Sequence, residues 1–223
     1  MRKITFAIDG PAASGKSTVA KEVARALNYI YIDSGAMYRA LTLKALNEKI
    51  DIKDEKSLIE MTKNTKIEII NERIYLDGVD VSETIRGIEV TNNVSTVCSY
   101  AGIREEMVNL QKKYGSKLGG IVMDGRDIGT TVFPNAELKI FQTASVEQRA
   151  LRRYEENMRK GIGSDLETLK KEIELRDFKD STREISPLRK ADDAIVLDTS
   201  YLTPKEVVEK IVELAKKIIE SEE

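Results

Sequence analysis

The 223-residue sequence predicts an α/β protein: a doubly wound, five-stranded parallel sheet flanked by helices, with a small antiparallel β insert and a helical lid. Three observations predict it. Short apolar runs alternate with stretches of helical period, the pattern of a parallel sheet whose crossovers are helices. One glycine-rich turn, Gly10 to Ser17, stands between a strand-like run and a helix-like one. One stretch, near 64–82, breaks the alternation with a period of two.

In chain order, Ile4–Asp9 reads as a short buried strand. A helix follows from Lys16 to Leu27, where Val19, Ala20, Val23, Ala24 and Leu27 share a face. Tyr29–Asp33 is a second strand, and Ala36 to about Leu46 a second helix. Ile67 and Ile69, Ile74 and Leu76, then Val79 and Val81 alternate around two turn signals, Asn71-Glu72 and Asp77-Gly78, which predicts an antiparallel meander. Ile121–Asp124, Leu138–Phe141 and Ala194–Asp198 are three further strands, with helical segments between them. Ser145 with Gln148, and Thr203 with Pro204 and Glu206, carry the chemistry of helix starts. The last helix presents Val207, Val208, Ile211, Val212, Ala215, Ile218 and Ile219, and Glu220–Glu223 is expected to be a frayed, solvated tail.

Composition removes several classes of function. The chain has no histidine, which excludes Ser-His-Asp and Cys-His relays, His-bound zinc and imidazole acid-base steps. Its single cysteine, Cys98, excludes a disulfide framework and reads as a small buried residue. Lys+Arg 36 against Asp+Glu 38 opposes a general nucleic-acid or anionic-membrane surface. No apolar run approaches a spanning helix and no signal peptide is legible, so a soluble, cytoplasmic protein is expected. The chemistry left is that of carboxylates, Lys, Arg, hydroxyls, backbone amides and hard cations, which suits phosphoryl transfer.

Gly10-Pro11-Ala12-Ala13-Ser14-Gly15-Lys16-Ser17 matches G-x-x-x-x-G-K-S/T, with a strand before and a helix after. Backbone N–H groups of such a loop converge on a phosphate, and glycines permit the turns and the close approach. Lys16 adds its charge to the positive end of the helix, and Ser17 is placed to ligate Mg²⁺ between two phosphates. Asp124, after Ile-Val-Met, either holds that metal through water or opens a turn before Gly125.

Three sites point to the second substrate. Asp33-Ser34-Gly35-Ala36-Met37-Tyr38-Arg39 lies at the carboxyl end of the second strand, the edge that faces the crevice in an open α/β sheet. Ser34 has two readings, a helix cap or a substrate contact; Tyr38 is packing or stacking; Arg39 suits an anionic acceptor. Asp124-Gly125-Arg126-Asp127 puts two carboxylates around an arginine at another strand end. Of 14 arginines, seven lie between Arg149 and Arg189. Arg149, Arg152 and Arg153 share one helix face, and Arg176, Asp180 and Arg183 recur at i, i+4 and i+7, an arrangement suited either to several phosphate oxygens or to a salt-bridged surface. The Gly161-Ile162-Gly163 tip between them suits a moving lid.

Taken in order, Ile8–Thr18, Asp33–Arg39, Asp124–Pro134 and Arg176–Arg183 resemble the nucleoside monophosphate kinases, and within them the bacterial cytidylate kinases, over nearly the whole chain. The resemblance implies transfer of the γ-phosphoryl group of ATP to CMP or dCMP, giving CDP or dCDP and ADP, with Mg²⁺ and without a general base. It implies a core at 1–37, 105–148 and 184–223, a monophosphate-binding region at 38–104 holding the β insert, and a lid at 149–183. Gly10 to Thr18 would hold ATP, with Ser17 and Asp124 (through water) on the metal. Ser95, Arg104 and Asp127 would read cytosine; Arg39, Arg126 and Arg183 would hold the monophosphate; Ser34, Arg176 and Asp180 would contact the sugar side. Lys16, Arg126, Arg149, Arg153 and Arg183 would act on the transferring group. Lys179 stands where many members have arginine. A monomer is expected, with ATP and CMP or dCMP as its only partners, in pyrimidine nucleotide metabolism.

The competing readings differ in the acceptor or in the class. A shikimate-type kinase would need a carboxylate base, for which Asp33 is available. A guanine-nucleotide switch would carry Asn-Lys-x-Asp, which is absent. A nucleic-acid ATPase would show a basic surface.

Overall fold

The computed structural model describes residues 3–117 and 119–221. Its elements run β1 (Thr5–Asp9), α1 (Lys16–Leu27), β2 (Ile30–Asp33), α2 (Ser34–Asn47), α3 (Glu55–Lys63), β3 (Ile67–Ile70), β4 (Arg73–Leu76), β5 (Val79–Asp80), a 3-10 turn, α4 (Ile88–Val97), α5 (Ala101–Lys117), β6 (Ile121–Gly125), a π-helical segment (Ile128–Val132), β7 (Leu138–Thr143), α6 (Val146–Arg159), α7 (Leu166–Thr182), β8 (Ile195–Asp198) and α8 (Pro204–Ser221). They form two compact units, Met1–Tyr31 with Leu118–Glu223, and Ile32–Lys117.

The first unit is built on the five-stranded sheet of order β2-β6-β1-β7-β8, as the alternation predicts. β1 lies between β6 and β7 and runs parallel to both; β8 is parallel to β7. Phe6, Ile8, Val122, Leu138 and Ile140 from the strands pack with Val19 and Val23 of α1 and Val207 and Ile211 of α8. Strands buried on both faces favour apolar side chains, which is why β1 and β6 read as apolar runs; β7 departs from this at Lys139 and Gln142, both buried. Asp9 pairs with Gly125 and Phe141, and Thr143 with Asp198, so β1 and β6 end together and β7 and β8 end together two residues further on, all at the same edge of the sheet. That edge carries the chemistry-bearing loops.

The second unit holds α2 to α5 and the meander β3-β4-β5, antiparallel throughout. Both predicted turns are present: Asn71 and Glu72 have φ 49° and 63°, Asp77 and Gly78 have φ 49° and 85°. Two successive positive φ values match the right-handed twist of a hairpin.

The structure corrects the sequence at several ends. Asp33, not Ser34, caps α2: its carboxylate accepts from the Ala36 N–H at 2.7 Å, and Ser34 is the first helical residue. The box expected at Thr203 forms, with Thr203 and Glu206 exchanging bonds; at Ser145 only half of it does, because Ser145 Oγ accepts from the Gln148 N–H while the Ser145 N–H donates to Ser200 Oγ. α8 continues through Glu220 and Ser221, part of the expected frayed tail; Glu222 and Glu223 lie outside the described residues, as do Met1 and Arg2. Among the described residues, no helix is long and apolar enough to cross a membrane.

Candidate active site

The segment Gly10–Gly15 joins β1 to α1 at the carboxyl edge of the sheet, and Lys16, Ser17 and Thr18 open the helix. Gly10 is required there by contact rather than by conformation alone. A Cβ on it would sit 2.0 Å from the backbone carbonyl oxygen of Gln142, on the neighbouring β7. Gly15 caps α1 in a left-handed conformation, φ 87°, which an L side chain adopts only with strain.

Lys16 is buried and turned back onto its own loop, its Nζ donating to the Pro11 carbonyl at 2.7 Å and to Ser14 Oγ at 3.2 Å. Burial, joined by the charge of Arg126, pushes its pKa down to about 7. A buried cation whose hydrogen bonds go to neutral oxygens gains charge compensation when an anion arrives. Ser17 Oγ donates to Asp124 Oδ2 at 2.9 Å, and Tyr31 OH donates to Asp124 Oδ1, also at 2.9 Å. Asp124 is therefore no incidental turn residue: its two oxygens are oriented, one of them at the loop hydroxyl.

The loop backbone is gripped from outside. The Ala12 N–H donates to Asp177 of α7 at 3.0 Å, and the Ala12 carbonyl accepts from Arg149 of α6 at 3.0 Å. Arg149 also pairs with Asp177 at 2.5 Å and donates to the Ala144 carbonyl. Arg149, expected to act on the transferring phosphoryl group, is thus buried and engaged by the loop backbone and Asp177. Arg152 reaches the Ser14 and Thr199 carbonyls, while Arg153 pairs with Glu156 at 3.3 Å in the manner of a salt-bridged surface.

Beyond β6 lies a second cluster. Arg126 Nε donates to Asp180 at 2.8 Å, and Arg183 approaches Asp127 at 3.6 Å, both ends of that pair almost wholly buried. Burial alone would raise the Asp180 pKa, but Arg126, Arg176 and Arg183 together hold it below the ordinary carboxylate range. Excess positive charge around a buried carboxylate is what an arriving phosphate requires. Lys179, where arginine was expected, is exposed.

The second unit carries Ser34, Arg39, Ser95 and Arg104. Arg39 pairs with Asp33 at 2.9 Å, and its buried Nε has no hydrogen-bond partner among the described residues. With its oxygens on the α2 cap and on Arg39, Asp33 is engaged in holding structure, which weakens the case for it as a base. The Arg104 guanidinium lies 5.4 Å above the Tyr38 ring and donates to the Cys98 carbonyl at 3.3 Å, so Tyr38 serves as a stacking face. Ser95 stands partly buried on α4.

Sequence reasoning passed over Asp9, Gln142 and Asp177. Asp9 ends β1 as a buried carboxylate accepting from the Ile128 and Gly129 N–H groups at 2.8 and 2.7 Å. It anchors the π-helical segment that follows Asp127. Burial, only partly offset by those two bonds, raises its pKa to about 7. Between about pH 4 and 7 the folded chain therefore keeps a proton that the unfolded chain has released, so this residue's contribution to stability falls as pH rises across that window. Asp9→Asn should gain on the wild type by up to about 4 kcal/mol between pH 4 and pH 8. Denaturant unfolding of both proteins at several pH values would read it; a difference that stays flat with pH would contradict the burial argument.

The family model described as cytidylate kinase matches residues 6–217. A cytidylate kinase of Bacillus cereus (strain ATCC 10987 / NRS 248) is 57% identical over 217 residues, covering 96% of each chain. Another, of Bacillus thuringiensis (strain Al Hakam), is 58% identical over 215 residues and 95% of each. Among solved structures, a gluconokinase from Sinorhizobium meliloti 1021 shares the fold, with TM-score 0.53 at 14% identity and full coverage of both chains.

Proposed function

The chain belongs to the cytidylate kinase family, and on that footing we propose that it transfers the γ-phosphoryl group of ATP to CMP or dCMP, giving CDP or dCDP and ADP. The observation that carries this reading is the end of β6. There Asp124 meets the phosphate-loop hydroxyl, and within three residues the buried Asp127 stands in a cluster of Arg126, Arg183 and Asp180. One strand end thus supplies a metal-side carboxylate, a phosphate-binding cation and a base-reading carboxylate, and the end of α7 brings Arg183 to them.

The roles follow from charge. Gly10 to Thr18 cradles the ATP phosphates, and Lys16 neutralises them. Mg²⁺ fits Ser17 and Asp124, which offer only oxygen. Among the described residues no group of three or more metal-binding side chains exists, so most of its ligands would come from phosphate and water, as is usual for Mg²⁺. Bound there, it would neutralise charge on the β- and γ-phosphates. Asp127 accepts from the cytosine N4 amino group, and uracil, with an oxygen in that place, is repelled. Ser95 and Arg104 supply donors for N3 and O2. Arg39, Arg126 and Arg183 hold the monophosphate, and Ser34, Arg176 and Asp180 the sugar side. Arg149 and Arg153, on the α6–α7 lid, complete the charge balance around the moving phosphoryl group, which passes in line. The acceptor phosphate, with a second pKa near ~6, is largely a dianion at pH 7, so no general base is needed and the absence of histidine costs nothing. The enzyme acts as a cytoplasmic monomer.

The test is ADP formation from Mg-ATP with CMP, dCMP, UMP, AMP or shikimate offered separately. Turnover is expected mainly with CMP and dCMP. Asp127→Asn should lower kcat/KM for CMP roughly 100-fold and narrow its advantage over UMP, since the amide can donate to uracil. Turnover confined to UMP or AMP would overturn the base assignment, and turnover with shikimate alone would overturn the acceptor class.

A further inference from the structure

Gln142 touches the phosphate loop twice. Its backbone carbonyl fills the space that a side chain on Gly10 would need, and its Nε2 donates to the Ser14 carbonyl at 2.6 Å. Arg152 Nη1 grips the same carbonyl at 3.2 Å. The Ser14–Gly15 peptide is trans, so its N–H points opposite to its C=O. Two donors fixing the Ser14 oxygen therefore also fix the direction of the Gly15 N–H, away from Gln142, at the head of α1.

The side chain bears a second mark. Gln142 is 1% exposed, and its Oε1 has no hydrogen-bond partner among the described residues. Turning the amide over would set Oε1 against the Ser14 oxygen, so the donor must face the loop and the acceptor must stay unmatched. A buried unmatched acceptor is destabilising, and an apolar side chain of the same shape would avoid it. What the amide contributes at this position is its N–H.

We propose that Gln142, supported by Arg152, is a positioning residue for ATP: it sets the Ser14–Gly15 peptide so that the Gly15 amide is aimed for phosphate before the nucleotide arrives. The inference rests on the reading of Gly10–Thr18 as the ATP site. It does not depend on the acceptor.

The experiment compares wild type with Gln142→Met, measuring Mg-ATP binding by calorimetry without acceptor, KM for each substrate, and thermal midpoint. Expected are a roughly tenfold rise in Kd and in KM for ATP, a KM for CMP changed by less than about twofold, and a midpoint equal to or above that of wild type. An unchanged Kd would overturn the proposal. So would a lowered midpoint with both KM values rising together, which marks a merely structural residue. Should Gln142→Met not fold, Arg152→Met decides: a weakened Mg-ATP Kd supports the proposal and an unchanged one overturns it. Failure of the proposed function would look different, since wild type would then bind Mg-ATP yet turn over no cytidine monophosphate.

Discussion

Lys16→Met is expected to lower kcat/KM for ATP by about 10³-fold, the scale of losing a preorganised charge in a site closed to water. The same substitution should leave the folded protein as stable as wild type or more so. Lys16 is buried with its pKa pushed down to about 7, so at and below that pH the folded chain holds a charge that burial and Arg126 both disfavour. Methionine fills a similar volume without a charge. The sign can be checked through pH. The lysine's penalty is full below pH 7 and is relieved between pH 7 and its unfolded value near 10.5, where the unfolded chain binds the extra proton. Stability of the wild type relative to Lys16→Met should accordingly improve as pH rises through that window. Affinity of the wild type for ATP should move the other way, because above pH 7 the empty site must take up a proton to meet the phosphates. Paired unfolding and nucleotide-binding titrations from pH 6 to pH 9 would show opposite slopes; parallel slopes would mean that Lys16 is not the cation that meets the nucleotide.

Gly10→Ala should be strongly damaging, the built Cβ there meeting backbone closer than at Gly15, Gly87 or Gly129. A methyl group 2.0 Å from the Gln142 carbonyl oxygen cannot be accommodated by rotating a side chain, since the obstacle is the backbone of β7. Either β1 and β7 separate or the loop leaves its path. The first outcome lowers stability by about 3 kcal/mol or more, and the second removes ATP binding. Thermal unfolding with Mg-ATP titration distinguishes them, and a variant normal in both would refute the close approach. Gly78, with no atom within 4 Å of a built Cβ, is the control for space, although its φ of 85° still strains an alanine.

Some of this was open to sequence reasoning because the signal is local. A G-x-x-x-x-G-K-S run between strand and helix must present its amides, whatever surrounds it. Thr203 with Glu206, and the turns at Asn71-Glu72 and Asp77-Gly78, form from neighbours in the chain, and the alternation of Ile67, Ile69, Ile74 and Leu76 follows from the period of a strand. Asp33 and Ser34 show where local signals become ambiguous. Both residues can cap a helix, and sequence pattern does not decide between adjacent candidates; the register of α2 does.

Sequence by itself determined the fold class, the G-x-x-x-x-G-K-S loop between strand and helix, the exclusion of histidine chemistry and the concentration of arginines from Arg149 to Arg189. Each depends on residue type or on short spacing. Tertiary structure alone decided that Gln142 and Arg152 hold the Ser14 carbonyl, that Asp177 and Arg149 grip Ala12 from two helices, and that Asp9 ties β1 to the segment after Asp127. Those partners lie more than a hundred residues apart. A glutamine in a strand or an aspartate in a helix carries no mark of its partner until parallel pairing sets β1 between β6 and β7 and brings their carboxyl ends to one edge. Contacts of that kind are made by the sheet's topology, and no local pattern encodes them.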